Sequence, residues 1–303
     1  MQRPTHATSA STTTSAATAY IFVDGSYFCF HRVYALMQWW QKAHDGEKLE
    51  RPAENPEFVA KFASTFASKL RDLPKNIGIP AGTNVVMFIG KDCKKDDIWR
   101  MSLYPGYKAG RKHDDIVGPF FAMAYGSSGV AASTEDAGAA EPGLFKTTLL
   151  RSPTPIPIAI LEHPKLEADD CIAIYVKDML DTGDTQIPIY IITSDRDYLQ
   201  LNYPNVHIIN MSYKDISTPS GKTTGNPDTD LRIKTLMGDK SDNIPPAFSG
   251  CGYKTALKCV ENPEYLRQKL DASGRTQYEL NCTLVDFNYI PQEYVDELLS
   301  QSL

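Results

Sequence analysis

The chain has 303 residues, a formal net charge of −6 and 42% hydrophobic residues, enough for one large domain or two small ones. No stretch approaches the ~18 uninterrupted apolar residues of a membrane span. The acidic balance taken alone argues against a nucleic-acid surface, although the distribution of charge matters more than its sum.

Residues 1–18 are rich in Ser, Thr and Ala and lack the apolar core of a secretory signal, which predicts a disordered tail on a protein that is not secreted. An organelle transit peptide is the alternative, with Arg3 as its sole basic residue. Ala19 to Asp24 then reads as a short apolar strand closing on Asp24-Gly25, a pair common in turns. Phe28, His31, Val33, Tyr34, Met37 and Trp40 follow at helical spacing, which makes a β-α start with Asp24 at the strand's carboxyl end. Residues 45–57 are polar and Pro-containing, hence a loop. Phe58, Phe62, Phe66 and Leu70 predict a helix to Leu73, ended by Pro74. Asn84 to Gly90 is a second strand, with Asp92 just past its end.

Lys91, Lys94, Lys95, Arg100, Lys108, Arg111 and Lys112 crowd into the next segment, interleaved with Trp99, Tyr104 and Tyr107. Cations neutralise phosphates and aromatic rings stack on unpaired bases; a solvated charged loop has the same composition. Residues 124–148, rich in Gly, Ala and Ser, read as a flexible insertion without a core of its own. Ile156 to Ile160 is a third strand. Glu167, Asp169 and Asp170 then open a helix, where acids suit the positive end of the dipole. Three acids in four residues also repel one another unless a cation or proton intervenes.

Ile187 to Thr193 is a β-branched run typical of a buried parallel strand, and it stops in Asp195 and Asp197. Ligands of open α/β sheets bind outside the carboxyl ends of the strands, and paired acids there suit a hard divalent cation. Val206 to Ile209 is a further strand and 212–227 a loop. A helix ends near Gly238, followed by Asp239 and Asp242. Gly250-Cys251-Gly252 feeds a helix N-terminus, whose backbone N–H groups can hold a phosphate. The six cysteines are scattered without C-x-x-C spacing, which argues against structural zinc and for buried free thiols in a reducing compartment.

Asp24-Gly25, Leu103-Tyr-Pro-Gly-Tyr-Lys-Ala-Gly-Arg111, Glu167-Ala-Asp-Asp170, Thr193-Ser-Asp-Arg-Asp197 and Gly238-Asp-Lys-Ser-Asp-Asn-Ile-Pro245 occur in one order. In this the chain resembles the flap endonuclease / 5′→3′ exonuclease family, a PIN-like nuclease group, over residues 19–295. Tyr278 to Pro291 resembles the stand-alone phage-type branch, which includes the RNase H of T-even phages. The resemblance implies an α/β fold with a mixed, mostly parallel central sheet flanked by helices. The nuclease domain would cover 19–227, with an arch at about 91–125, and 228–303 would hold a helix-three-turn-helix module and a C-terminal segment. It implies metal ligands at Asp24, Asp92, Glu167, Asp169, Asp170, Asp195, Asp197, Asp239 and Asp242, with Asp96 or Asp97 as alternatives to Asp92. Lys108 and Arg111 would touch the scissile phosphate beside the catalytic acids Asp24, Asp170 and Asp195. Tyr107 would stack on a base, and Lys240, Gly250, Gly252, Lys254 and Thr255 would hold nucleic acid.

The family's chemistry implies two Mg²⁺ (or Mn²⁺) ions about 4 Å apart, one acidifying a water and one stabilising the leaving oxygen. Family members also bind K⁺ at the helix-three-turn-helix; here Ala247 to Ala256 departs from the usual Gly-Val-Pro-Gly-Ile-Gly-Pro-Lys-Thr-Ala while keeping the later glycines and Lys254. The expected substrates are DNA with a 5′ flap or nick and RNA/DNA hybrid, cut by a monomer wherever the genome replicates. No clamp-binding peptide or site for a single-strand binding protein is evident. A non-catalytic structure-selective DNA-binding protein, a PIN-type single-strand ribonuclease and an Asp-x-Asp phosphatase are the competing readings.

Overall fold

The computed structural model describes residues 17–111, 116–126, 142–182, 186–221 and 223–301. The expected tail, apart from 17 and 18, lies outside the described residues, as do Lys112 and the middle of the 124–148 insertion.

Strand β1 (Thr18–Asp24) is buried on both sides, and its alternation decides the layering. Ile21 and Val23 face one core and Phe22 the other. Around β1 lie β2 (Asn84–Gly90), β3 (Ile158–Leu161), β4 (Ile189–Ile192) and β5 (Val206–Ile209) in the order β3-β2-β1-β4-β5. All four strand pairings are parallel. β1 pairs with β2 from Thr18↔Asn84 to Asp24↔Gly90 and with β4 up to Val23↔Ile192. The strand order therefore reverses between β1 and β4, where doubly wound sheets open a crevice at their carboxyl edge.

One face is covered by α1 (Gly25–Ala43), α2 (Pro56–Arg71), α5 (Gly118–Tyr125) and α6 (Leu144–Leu150), which join Phe28, Phe62, Phe120 and Phe145 in a single core. α6 begins within the segment expected to lack a core, and its Phe145 is fully buried, as is Leu149 just past that segment. Pro74 sits in the first turn of a new short helix, α3 (Leu73–Asn76), so it starts a turn as well as ending α2. The other face carries α7 (Ala168–Asp181) and, packed against it, α4 (Trp99–Leu103).

Beyond the sheet, α8 (Pro227–Met237), α9 (Tyr253–Glu261), α10 (Pro263–Lys269) and α11 (Ala272–Val285) share a small separate core of Ile233, Leu236, Cys251, Ala256 and Cys259. The chain then returns. Phe287 and Ile290, and after them Leu298 on α12 (Gln292–Leu299), join the sheet's second core. Among the described residues no helix is long and apolar enough to cross a membrane.

Candidate active site

Parallel strands deliver their last residues to one edge, and that edge collects the acids. Asp24 ends β1 and caps α1, accepting from Tyr27 N at 2.9 Å, while Thr193 Oγ1 and Tyr198 OH each approach its other oxygen at 3.4 Å. The Asp-Gly pair is thus a helix cap rather than a free turn. Gly25 is needed because a Cβ there would come within 2.6 Å of Gly90 O. Asp92 accepts from Ala168 N at 2.7 Å and from Ser26 Oγ, which ties the β2 end to the start of α7. Asp97 instead pairs with Lys165, whereas the contacts of Asp92 with Ser26 and Ala168 join it to the starts of α1 and α7. Thr193 Oγ1 accepts from Asp195 N at 3.0 Å, and Asp195 Oδ1 accepts from Asp197 N at 3.0 Å.

The last two acids are set by a turn that only glycine can start. Gly238 has φ 68°, and a Cβ there would collide with the carbonyl oxygens of Ile244 and Pro245. The turn closes through paired backbone bonds between Asp239 and Ile244 of 2.9 and 2.7 Å. Asp239, Asp242 and Asp197 thereby bring carboxylate oxygens within 4.8 Å of one another, as Glu167, Asp169 and Asp170 do at the start of α7.

Five of the nine acids meet cations of the chain itself. Arg100, 2% exposed, spans Asp170 Oδ1 at 2.6 Å, Asp170 Oδ2 at 2.7 Å and Glu167 Oε2 at 3.2 Å, and its Nε donates to Leu284 O at 2.7 Å. Lys108 pairs with Glu167 and lies 3.9 Å from Asp242, which Arg111 also holds. Lys234 sits between Asp197 and Asp239, 2.9 Å from the latter. For Asp239 burial acts upward, yet Lys234 and the Ser241 hydrogen bonds outweigh it and hold the carboxyl at about 2. Burial likewise works against ionised Glu167, and Lys108 and Arg100 reverse the sign.

Asp24, Asp92, Asp169 and Asp195 form no ion pair among the described residues. Burial, then the charges of Asp92 and Asp195, push Asp24 up to about 7. Asp92 is raised by burial and by Glu167, and Asp169 is raised strongly by burial and its two neighbours. Oxygen donors whose ionisation is resisted by one another are a fitting set for a hard divalent cation.

Several expected roles move. Asp170 has no exposed surface, and Arg100, Trp99 Nε1 at 3.0 Å and Glu167 N at 3.2 Å occupy its oxygens. It orients the start of α7 and is not open to the cleft. Tyr107 is not placed to stack on a base: it is 3% exposed, and its hydroxyl donates toward Glu167 at 2.9 Å and Asp242 at 3.3 Å. Arg100 belongs to the interior instead of the basic strip. Lys108 (φ 53°) and Arg111 do reach the cluster, but both are engaged with acids. The segment that carries them is clamped down, with Lys108 N donating to Asp242 O at 2.8 Å and Asn243 Nδ2 to Gly106 O at 2.8 Å. Lys234 carries no sequence signal beyond its position on α8, one turn before Gly238.

A cleft of about 1220 Å³ runs from Asp195 and Asp197 past α8 to Gly250–Lys254. Gly250 and Gly252 have open space where a side chain would lie, and no side chain caps the first turn of α9. Its N–H groups, with the exposed Lys240 and Lys254, therefore face the cleft. Thr255 is half-buried in the next position.

Residues 19–224 match the model of the 5′-3′ exonuclease N-terminal resolvase-like domain. The chain is 30% identical over 162 residues to the ribonuclease H of Enterobacteria phage T4, covering 48% of this chain and 51% of that one. It is 35% identical over 141 residues to a 5′-3′ exonuclease of Aquifex aeolicus, covering 42% and 47%. It is 28% identical over 245 residues to the DNA polymerase I of Rhizobium leguminosarum, covering 79% of this chain. The chain spans about half the length of the first two relatives and 20% of the polymerase. Among solved structures, the flap endonuclease of bacteriophage T5 in a pseudo-enzyme–product complex with DNA and metal ions shares the fold. That match has a TM-score of 0.58 at 16% identity, over 92% of this chain and 96% of that one.

Proposed function

The chain belongs to the 5′→3′ exonuclease family, and we propose from that premise that it is a structure-selective, divalent-metal-dependent 5′ nuclease. It hydrolyses phosphodiesters in 5′ flaps, nicked duplexes and RNA primers on DNA. The observation that carries this reading is the meeting of the acid cluster with the α8–α9 turn across one cleft. The acids alone would suit many metal-dependent hydrolases. The uncapped α9 N-terminus and Lys254 add a grip on duplex backbone, which fixes register without reading sequence.

Asp24, Asp92, Glu167, Asp169 and Asp195 would hold one part of the cation charge and Asp197, Asp239 and Asp242 the other. Bound divalent cations, Mg²⁺ or Mn²⁺, would supply an acidified water and charge stabilisation at the leaving oxygen. The residues of the chain do the rest. Arg100 and Asp170 lock the first turn of α7 and with it the positions of Glu167 and Asp169. Lys108, whose proton is held by Glu167 and Asp242 against the effect of burial, is a permanent cation. With Arg111 it would exchange carboxylate for phosphate oxygen when substrate enters, and stabilise the charge that grows there. No Ser/His or Cys/His pair lies among these residues, and none is needed for attack by water.

Cleavage of an end-labelled 5′-flap duplex, with Mg²⁺ and with EDTA, beside an Asp195→Asn variant, tests the proposal. Metal-dependent cutting near the flap junction, lost in the variant, is expected. Tight binding without cutting would move the protein to the binding class, and cutting of single-stranded RNA alone to the ribonuclease class.

A further inference from the structure

On α1 an arginine is buried, and among the described residues no carboxylate holds it. Arg32 is 8% exposed, and its Nε is buried without a hydrogen-bond partner. The neighbouring His31 Nδ1 is the other buried side-chain nitrogen left unpartnered among the described residues. No carboxylate pairs with Arg32 among the described residues. Burial pulls its pKa down, and His31 is lowered by burial and then by Arg32 and Lys69. Lys69, exposed on α2, reaches across the ring of Tyr213 at 5.7 Å.

Tyr213 completes the group. It is held at φ 58°, with its N–H on Asn210 O at 2.8 Å. That left-handed backbone is costly for an aromatic residue and is kept where the surroundings demand it. Its hydroxyl accepts from Asn76 Nδ2 at 2.9 Å, and no acceptor takes its own proton among the described residues. Buried arginines are ordinarily paired, because an unpaired buried charge is costly. Arg32, Lys69 and Tyr213 each have a proton to donate, and among the described residues no carboxylate answers them.

We propose that Arg32, with Lys69, His31 and Tyr213, forms a second anion site that takes a backbone phosphate of the nucleic-acid substrate away from the cut. This rests on the nuclease reading for its occupant. Its position supports a strand in place of a free ion. Tyr27, one turn before His31 and 6.0 Å from it ring to ring, accepts from Ser194 Oγ at 2.6 Å and from Met211 N at 3.2 Å. Ser194 precedes Asp195, so Tyr27 links the acid edge to His31, the neighbour of Arg32. A strand with its scissile phosphate at the acids can lay a neighbouring phosphate here.

The test compares Arg32→Met, Arg32→Lys and the exposed change Lys69→Met, each on the Asp195→Asn background so that flap duplex can be bound in Mg²⁺ without being cut. Arg32→Met is expected to bind about tenfold more weakly, as for one lost charge-assisted contact, and to lower the slope of log K against log salt by about 0.9. Arg32→Lys should keep the slope and Lys69→Met should lose part of the affinity. Thermal melting supplies the second readout. Removing an unpaired buried charge should leave the melting temperature of Arg32→Met unchanged or higher. Inorganic phosphate, against chloride of equal ionic strength, should raise the melting temperature of the parent but not of Arg32→Met. Affinity and slope equal to the parent's in both methionine variants would overturn the strand assignment. A marked drop in the melting temperature of Arg32→Met, with the phosphate response intact in Lys69→Met, would reduce Arg32 to a structural group. A parent that binds no flap duplex at all would instead reject the nuclease reading, and the phosphate response would still decide whether the anion site exists.

Discussion

Arg100 shows how one side chain can be worth more to this site than the ligands it never replaces. It satisfies both oxygens of Asp170 and one of Glu167 where no water reaches. Removing a single partner of such a group leaves buried charge without compensation. Arg100→Met should therefore cost about 3–5 kcal/mol in urea unfolding with EDTA present, and a loss under about 1 kcal/mol would show that the acids are neutralised otherwise. Asp24 makes the opposite case. Its folded-state value is about 7 against an ordinary 3.8, so between these limits the folded state binds more protons than the unfolded one. Stability from this group is then lost as pH rises from about 4 to about 7, and is level above. With EDTA, the melting temperature of the wild type should fall across that window relative to Asp24→Asn, and the difference should shrink when Mg²⁺ is added. A difference that does not vary with pH would mean that Asp24 is ionised throughout.

At the scale of elements, local pattern and long-range chemistry part company. β2 and β5 were legible to the residue because apolar runs bounded by polar residues admit few other readings. The acids at the strand ends followed from the same logic. Their partners did not: Arg100 meets Asp170 across 70 residues and Lys234 meets Asp197 across 37, distances over which no periodicity speaks. Tyr107 departs from its pattern for a related reason, since an aromatic among lysines looks exposed until its hydroxyl finds buried acids. α6 was hidden by the Gly/Ala composition around it. Phe145 nonetheless touches Phe28, Phe66 and Tyr125 with ring centroids 4.9–5.9 Å apart. Phe145→Ala should cost about 3–5 kcal/mol, measured by denaturant titration; a near-neutral effect would return α6 to a surface insertion. Gly238→Ala tests the turn instead of the core. Strain of about 1–3 kcal/mol is expected in addition to the cost of displacing the Ile244 and Pro245 carbonyls, together with a loss of cleavage in the fraction that folds, because Asp239 and Asp242 lose their shared geometry. Full activity in the folded variant would separate the turn from the chemistry.

For the whole molecule the net charge of −6 looked like an argument against a polyanionic partner. The structure resolves it by position. Nine acids crowd one edge of the sheet, where Arg100, Lys108, Arg111 and Lys234 offset part of their charge, while exposed Lys240 and Lys254 stand along the cleft beside an uncapped helix N-terminus. A uniform negative sphere would repel DNA; a divided one can admit a phosphate backbone along its basic rim and meet it with cations at the acids. Contacts of the rim with phosphate are blind to sequence, so their loss should be blind to it too. Lys254→Ala should weaken binding to flap duplexes of different sequence by the same factor and reduce the salt slope by about 0.9, the share of one phosphate contact. Fluorescence anisotropy over a range of salt, in the Asp195→Asn background, measures both. A loss confined to some sequences would place Lys254 against bases, and an unchanged slope would remove it from the backbone, leaving the N–H groups of α9 to hold the duplex without it.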